Sequence, residues 1–143
     1  MQSPPTPPLR LRPDLSDLST LIDYIESTGE AHDFRPADTM AFAIAAEELF
    51  ANTINHSSPP ATAIEFTLTC ADGLATALYT DDAAPFDPTA AEDADTTLPL
   101  DQRRIGGLGI HIIRKSMPTF TYQRIETPTG DRNQTTFARP IKP

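Results

Sequence analysis

The segment Glu47-Glu48-Leu49-Phe50-Ala51-Asn52 sets a carboxylate and a carboxamide four residues apart. On a helix, Glu48 and Asn52 project from the same face, one above the other. Further along come an acidic turn, Asp81-Asp82-Ala83-Ala84-Pro85-Phe86-Asp87-Pro88, and a glycine cluster, Ile105-Gly106-Gly107-Leu108-Gly109-Ile110. A carboxylate beside a neutral amide, with a glycine turn opening a later helix, suits a metal-bound nucleotide. Magnesium takes few protein oxygens, keeps waters and leans on substrate phosphates. A glycine-rich turn before a helix offers bare N–H groups to an anion. The order of the three pieces carries more weight than any one of them.

The elements that must hold these residues are legible from periodicity. Residues 9–12 alternate apolar and basic side chains as a short strand ended by Pro13. Asp14 or Ser16 caps a first helix with Leu15, Leu18, Leu21, Ile22 and Ile25 at helical spacing, ended by Gly29. A second helix is expected over about 37–56, opened by Asp38, with an apolar stripe through Phe42, Ala45, Ala46, Leu49, Phe50, Thr53 and Ile54. Ile64, Phe66 and Leu68 alternate with polar residues, Asp72-Gly73 turns the chain, and 74–80 returns as a second strand. Residues 84–104 are acidic and aperiodic, long enough to expect a mobile lid. Leu108, Ile112, Ile113 and Met117 mark a third helix, and two further strands are expected over 119–127 and 134–140. Helices before and between strand pairs predict an α/β (α+β) two-layer sandwich, with a mixed, largely antiparallel sheet carrying helices on one face.

Composition narrows the function classes. The 143 residues make one domain able to bury a core. Residues 1–8 are proline-rich and are expected to form a flexible N-terminus, with the domain proper expected over 9–143. Eleven basic against 20 acidic residues give a net charge of -9, which disfavours nucleic acid and anionic membranes as partners. A polyanionic nucleotide therefore needs local positive groups and a metal. No apolar run is long enough to span a bilayer, and the start has no apolar signal region, so a cytoplasmic protein is expected. The lone Cys70 lies in a strand-like run and is expected to be a small buried apolar group.

The chain resembles the GHKL (Bergerat-fold) ATPases, most closely the small serine kinases that act as anti-sigma factors. "EELFANTINH" is similar to the family's asparagine box, "DDAAPFDP" to its aspartate-glycine box, and "GGLGIHIIRKSM" to its second glycine box. "GDRNQTTFARP" falls where the family has a closing strand with a threonine. The resemblance implies ATP and Mg2+ as cofactors, with the nucleotide between helices and sheet under the lid. It implies that Asn52 binds the metal and that Glu48 is the general base for a serine hydroxyl of a protein substrate. It implies that Asp81 accepts a hydrogen bond from the adenine amino group, and that Gly106, Gly107, Leu108 and Gly109 face the phosphates. Arg103 or Arg104 is placed to reach the terminal phosphate, and Thr135 or Thr136 to close the adenine side. Ala83 departs from the pattern, which has glycine there; alanine adds a methyl and does not readily take a positive φ.

These implications define a serine protein kinase in a partner-switching circuit. It would phosphorylate a small antagonist protein and hold a sigma factor, as a homodimer paired through the sheet edge. The alternative is a non-catalytic module of the same fold that keeps the partner surface, which Ala83 favours. A detached sensor-kinase ATPase domain acting on histidine is the third reading. Against it, Glu48 sits where the serine kinases keep their base, and no histidine-bearing dimerisation helix is evident. Nucleotide binding separates the first two, and the residue carrying the label separates the first and third.

Overall fold

Two strands, β2 (Ile64–Ala71) and β3 (Leu74–Asp81), form the hairpin that the alternation predicts. Asp72 and Gly73 turn the chain with φ of 53° and 77°. Two successive left-handed residues build the tight turn whose twist matches the strands it joins. The computed structural model describes residues 7–56, 60–90 and 107–141.

Before the hairpin lie β1 (Leu9–Leu11), a 3₁₀ turn (Leu15–Asp17), α1 (Leu18–Ala31) and α2 (Pro36–His56). After it come a 3₁₀ turn (Pro88–Ala90), α3 (Gly107–Ser116), β4 (Thr119–Thr127) and β5 (Gly130–Pro140). The sheet order is β1-β2-β3-β5-β4, and β5 inserts between β3 and its own hairpin partner. The expected mixed sheet is corrected on one point: every ladder among the described residues is antiparallel. The fold is α+β, with a five-stranded antiparallel sheet and three helices. Hairpin connections produce antiparallel neighbours, and β5 meets β3 running the opposite way. Pairing of β4 with β5 reaches Thr127 opposite Gly130, so β5 starts earlier than residue 134.

Helix α1 also outlasts its expected end. Gly29 lies inside its last turn, and the left-handed residue that stops the helix is Asp33, at φ 57°. Phe34 N donates to Gly29 O at 2.8 Å, closing the wide C-terminal bond of a Schellman motif. Gly29 is needed for close packing instead: a Cβ there would press on Thr39 Oγ1 and on the Phe34 ring. Pro36 opens α2 at the helical position where a missing N–H costs nothing.

The register explains where the core stops and the site begins. Across the inner face run the rows Leu68–Ala77–Phe137–Phe120, Phe66–Tyr79–Thr135–Tyr122 and Ile64–Asp81–Asn133–Arg124, each crossing β2, β3, β5 and β4. The first row is apolar; the last is polar on three of its four strands. Phe42, Ala45, Ala46, Leu49 and Phe50 of α2 are buried in the same core, between α1 and α3. Arg139 of β5 pairs with the buried Asp38 of α2 at 3.0 Å and donates to Ser116 O at the end of α3. That clamp fixes both helices against the sheet. Cys70 is half-buried at the core margin. Among the described residues no helix is long and apolar enough to cross a membrane.

Candidate functional site

A recess opens where α2 passes the polar end of the sheet. Leu49, Asn52 and Thr53 line it from α2, Tyr79 and Asp81 from β3, Ala83–Pro88 in part from the turn, and Asn133 and Thr135 from β5. Thr135 points inward and is buried, whereas Thr136 alternates to the other face. Thr135 is therefore the threonine that the recess contains.

Asp81 is only 7% exposed, and its carboxylate is held by three donors. Oδ1 accepts from Asn133 Nδ2 at 2.8 Å and from Ala83 N at 3.1 Å, and Oδ2 accepts from Thr53 Oγ1 at 2.9 Å. The Ala83 bond is an Asx turn, a local closure that aspartate makes readily. Tyr79 OH lies 2.8 Å from Thr53 Oγ1. Burial pushes the Tyr79 phenol far above its ordinary pKa, so it stays a donor into this chain. A carboxylate offers about four lone-pair sites, and three are filled here. Among the described residues the one left over is on Oδ2, in a recess lined otherwise by apolar groups, the hydroxyls of Thr53, Tyr79 and Thr135, and the amides of Asn52 and Asn133.

Ala83 does not need the glycine angle. Its φ is not positive, since Asp33 and Asp72 are the non-glycine residues with positive φ among those described. Its methyl is buried in the recess wall. The turn is instead fastened from outside: Asn133 Nδ2 donates to Ala84 O at 2.9 Å, and Arg124 donates to Ala83 O at 2.8 Å. Asp82 faces away and accepts from Thr62 N at 2.7 Å and Ala63 N at 3.0 Å, anchoring the entry to β2. Burial raises its pKa, but these bonds and the Thr62 hydroxyl bring it below the usual value.

The second half of the site is built on α2 and α3. Glu48 is partly buried and Glu47 exposed, so the helix turns Glu48 alone toward α3. Gly109 sits against the Glu48 carboxylate so closely that any Cβ there would overlap it. Burial raises the Glu48 pKa; a hydrogen bond from Asn52 opposes this, and the charge of Glu47 adds to the rise. Among the described residues, the buried Glu48 Oε1 has no hydrogen-bond partner. An orphaned carboxylate oxygen is costly unless something is meant to meet it. Asn52 stands between the two halves, next to Glu48 and on the recess wall.

The structure thus brings Glu48, Asn52, Asp81, Ala83, Gly109 and Thr135 to one side of the molecule, around the junction of α2 with the sheet and α3. Gly107 and Leu108 form the first residues of α3. Arg104 and Gly106 lie outside the described residues, as do residues 91–103 of the expected lid. The start of that loop is fastened: Phe86 N donates to Asn133 Oδ1, Pro88 is buried, and Thr89 O accepts from Arg114 at 2.8 Å. Asn133, Thr53, Tyr79 and Arg124 were not expected to take part. Their signal was faint but present: inward positions of β3 and β5 hold Asp81, Asn133 and Thr135 where the alternation asks for apolar residues.

Among the described residues no group of three His, Cys, Asp or Glu side chains could cage a metal. A cation here would have to share its shell with phosphate oxygens and water, which is how magnesium is ordinarily held. The unpartnered Glu48 oxygen, the Gly109 cradle and the spare Asp81 lone pair fit a nucleotide with such an ion.

The family model of the histidine kinase-like ATPase domain matches residues 11–138. The chain belongs to this family of ATP-binding, GHKL-type domains, and its sheet and three helices are consistent with that fold. No curated protein matches the chain.

Proposed function

We propose that this protein is an ATP-dependent serine kinase that phosphorylates a small antagonist protein and, in the manner of anti-sigma factors, holds a regulatory partner. The observation that carries the reading is the Glu48 carboxylate: partly buried, raised in pKa, with one oxygen unpartnered, and one helical turn from Asn52. A base is most useful when its pKa lies toward the working pH, and desolvation moves Glu48 in that direction.

The roles of the chain's residues follow. Asp81 Oδ2 offers its remaining lone pair to an exocyclic amino group, and Thr135 closes the same side. Asn52 offers its amide oxygen to magnesium. The N–H groups of Gly107, Leu108 and Gly109 belong to the first turn of α3, which has no intrahelical partners for them, and would attract phosphate. Bound ATP supplies a transferable γ-phosphoryl group. Glu48 takes the proton from the attacking hydroxyl, and orientation with charge neutralisation supplies the rest of the rate. An edge strand of the sheet, β1 or β4, would offer the place for homodimer pairing.

Incubation with γ-labelled ATP, magnesium and small antagonist domains tests this reading. Acid-stable phosphoserine on an antagonist, lost in Glu48→Gln, is the expected result. Acid-labile phosphohistidine would move the protein to the sensor-kinase class, and ATP binding without transfer would leave a non-catalytic module.

A further inference from the structure

Asn133 is only 4% exposed, and each polar atom of its side chain is used. Its amide nitrogen donates to Asp81 Oδ1 at 2.8 Å and to Ala84 O at 2.9 Å. Its oxygen accepts from Phe86 N at 3.2 Å, from Arg124 Nη1 at 3.0 Å and from the Tyr122 hydroxyl. One side chain thus reaches the base-recognising carboxylate and both ends of the turn that follows it. Asn133 stands directly across from Asp81 in the β3–β5 ladder, and Arg124 directly across from Asn133 in the next.

We propose that Asn133 is the positioning residue for base recognition: it fixes the Asp81 carboxylate and the 83–86 turn so that one oxygen, Oδ2, is left to accept from an amino-bearing purine. The inference rests on the nucleotide-binding reading above and adds a specificity determinant to it. The amide is suited to this task because it can donate only to Oδ1 and to a carbonyl. It cannot turn a donor toward the ligand without breaking two bonds, so the site presents an acceptor. A purine with a 6-amino group meets that acceptor with a donor; one with a 6-oxo group brings a second acceptor and leaves both unpaired. Sites built on buried hydrogen-bonding groups discriminate strongly for this reason. Arg124 holds the Asn133 oxygen and Ala83 O together, which explains how a turn without glycine keeps its shape.

The test compares ATP with inosine triphosphate, each with magnesium, by calorimetry on the full chain. Wild type is expected to favour ATP by tenfold or more. Asn133→Ala is expected to bring the two affinities to within about threefold by weakening ATP alone, whereas a purely structural residue would lower both in parallel. Arg124→Met, altered near the surface, should narrow the ratio partially while thermal unfolding shows a folded chain. A full ATP preference in both variants, with wild type binding ATP well, overturns the role of Asn133 and leaves the nucleotide reading standing. No binding of either nucleotide to wild type overturns both.

Discussion

The two ends of the site are built on opposite plans. At the proposed base end, Asp81, Asn133, Thr53, Tyr79 and Arg124 satisfy one another, and among the described residues a single lone pair is left over. At the other end, Glu48 keeps a buried oxygen without a partner among the described residues, and Gly109 makes room for it by having no side chain. A saturated network is rigid and selective, because any change leaves a buried group unpaired. An unsaturated carboxylate stores a cost that a ligand or substrate proton can relieve. On the proposed reading, one end holds the base and the other is left to react.

The sharpest way to break this contrast is at the reactive end. Glu48→Gln should slow phosphate transfer by about 10²- to 10⁴-fold, the range of a lost general base, while ATP affinity measured by calorimetry stays within a few-fold. Glu47→Gln should remain active, since Glu47 faces solvent. The pH profile sharpens the same point. With the Glu48 pKa raised, transfer should fall as pH drops through that raised value and level off above it. Stability runs the opposite way: the folded state keeps this proton longer than the unfolded chain. The contribution is full below the ordinary glutamate pKa and is lost as pH rises through the folded one. Glu48→Gln should remove that slope in thermal unfolding followed against pH.

At the base end, Asp81→Asn should weaken ATP binding by roughly ten- to a hundredfold, as expected for one hydrogen bond to a charged acceptor. Gly109→Ala tests the cradle between the ends. Its methyl would strike the Glu48 carboxylate, and overpacking of this kind costs about 1–3 kcal/mol. Adding Glu48→Ala to it should recover part of the loss, a coupling visible in a double-mutant cycle. The smallest effect belongs to Ala83→Gly. With φ not positive and the methyl buried, glycine should gain nothing and cost roughly 0.5–1 kcal/mol in chain entropy. Tighter ATP binding in Ala83→Gly would show that the methyl crowds the base after all.

The same contrast separates what the sequence could disclose from what it could not. Glu48 and Asn52 lie on one helix, so a four-residue spacing was enough to place them together. The Asp72-Gly73 hairpin was legible because its turn chemistry is local. Asn133 was not, because its importance comes from lying across from Asp81, 52 residues away, and only the β3–β5 register supplies that fact. Gly29 misled for the converse reason: a glycine near a helix end suggests a stop, but this one serves contact with Phe34 and Thr39 while Asp33 takes the left-handed angle. The lack of a glycine at position 83 looked like a defect in the turn, because the side chains that fasten it come from β4 and β5.

The central claim is that these two ends together hold magnesium-bound ATP. Calorimetric titration of the full chain with ATP and magnesium, repeated with EDTA and with Asn52→Ala, tests it most directly. Saturable one-to-one binding is expected, weakening sharply in EDTA and to a similar extent in Asn52→Ala. Equal ATP affinity in all three titrations would contradict the role of Asn52, and no binding in any would contradict the site itself.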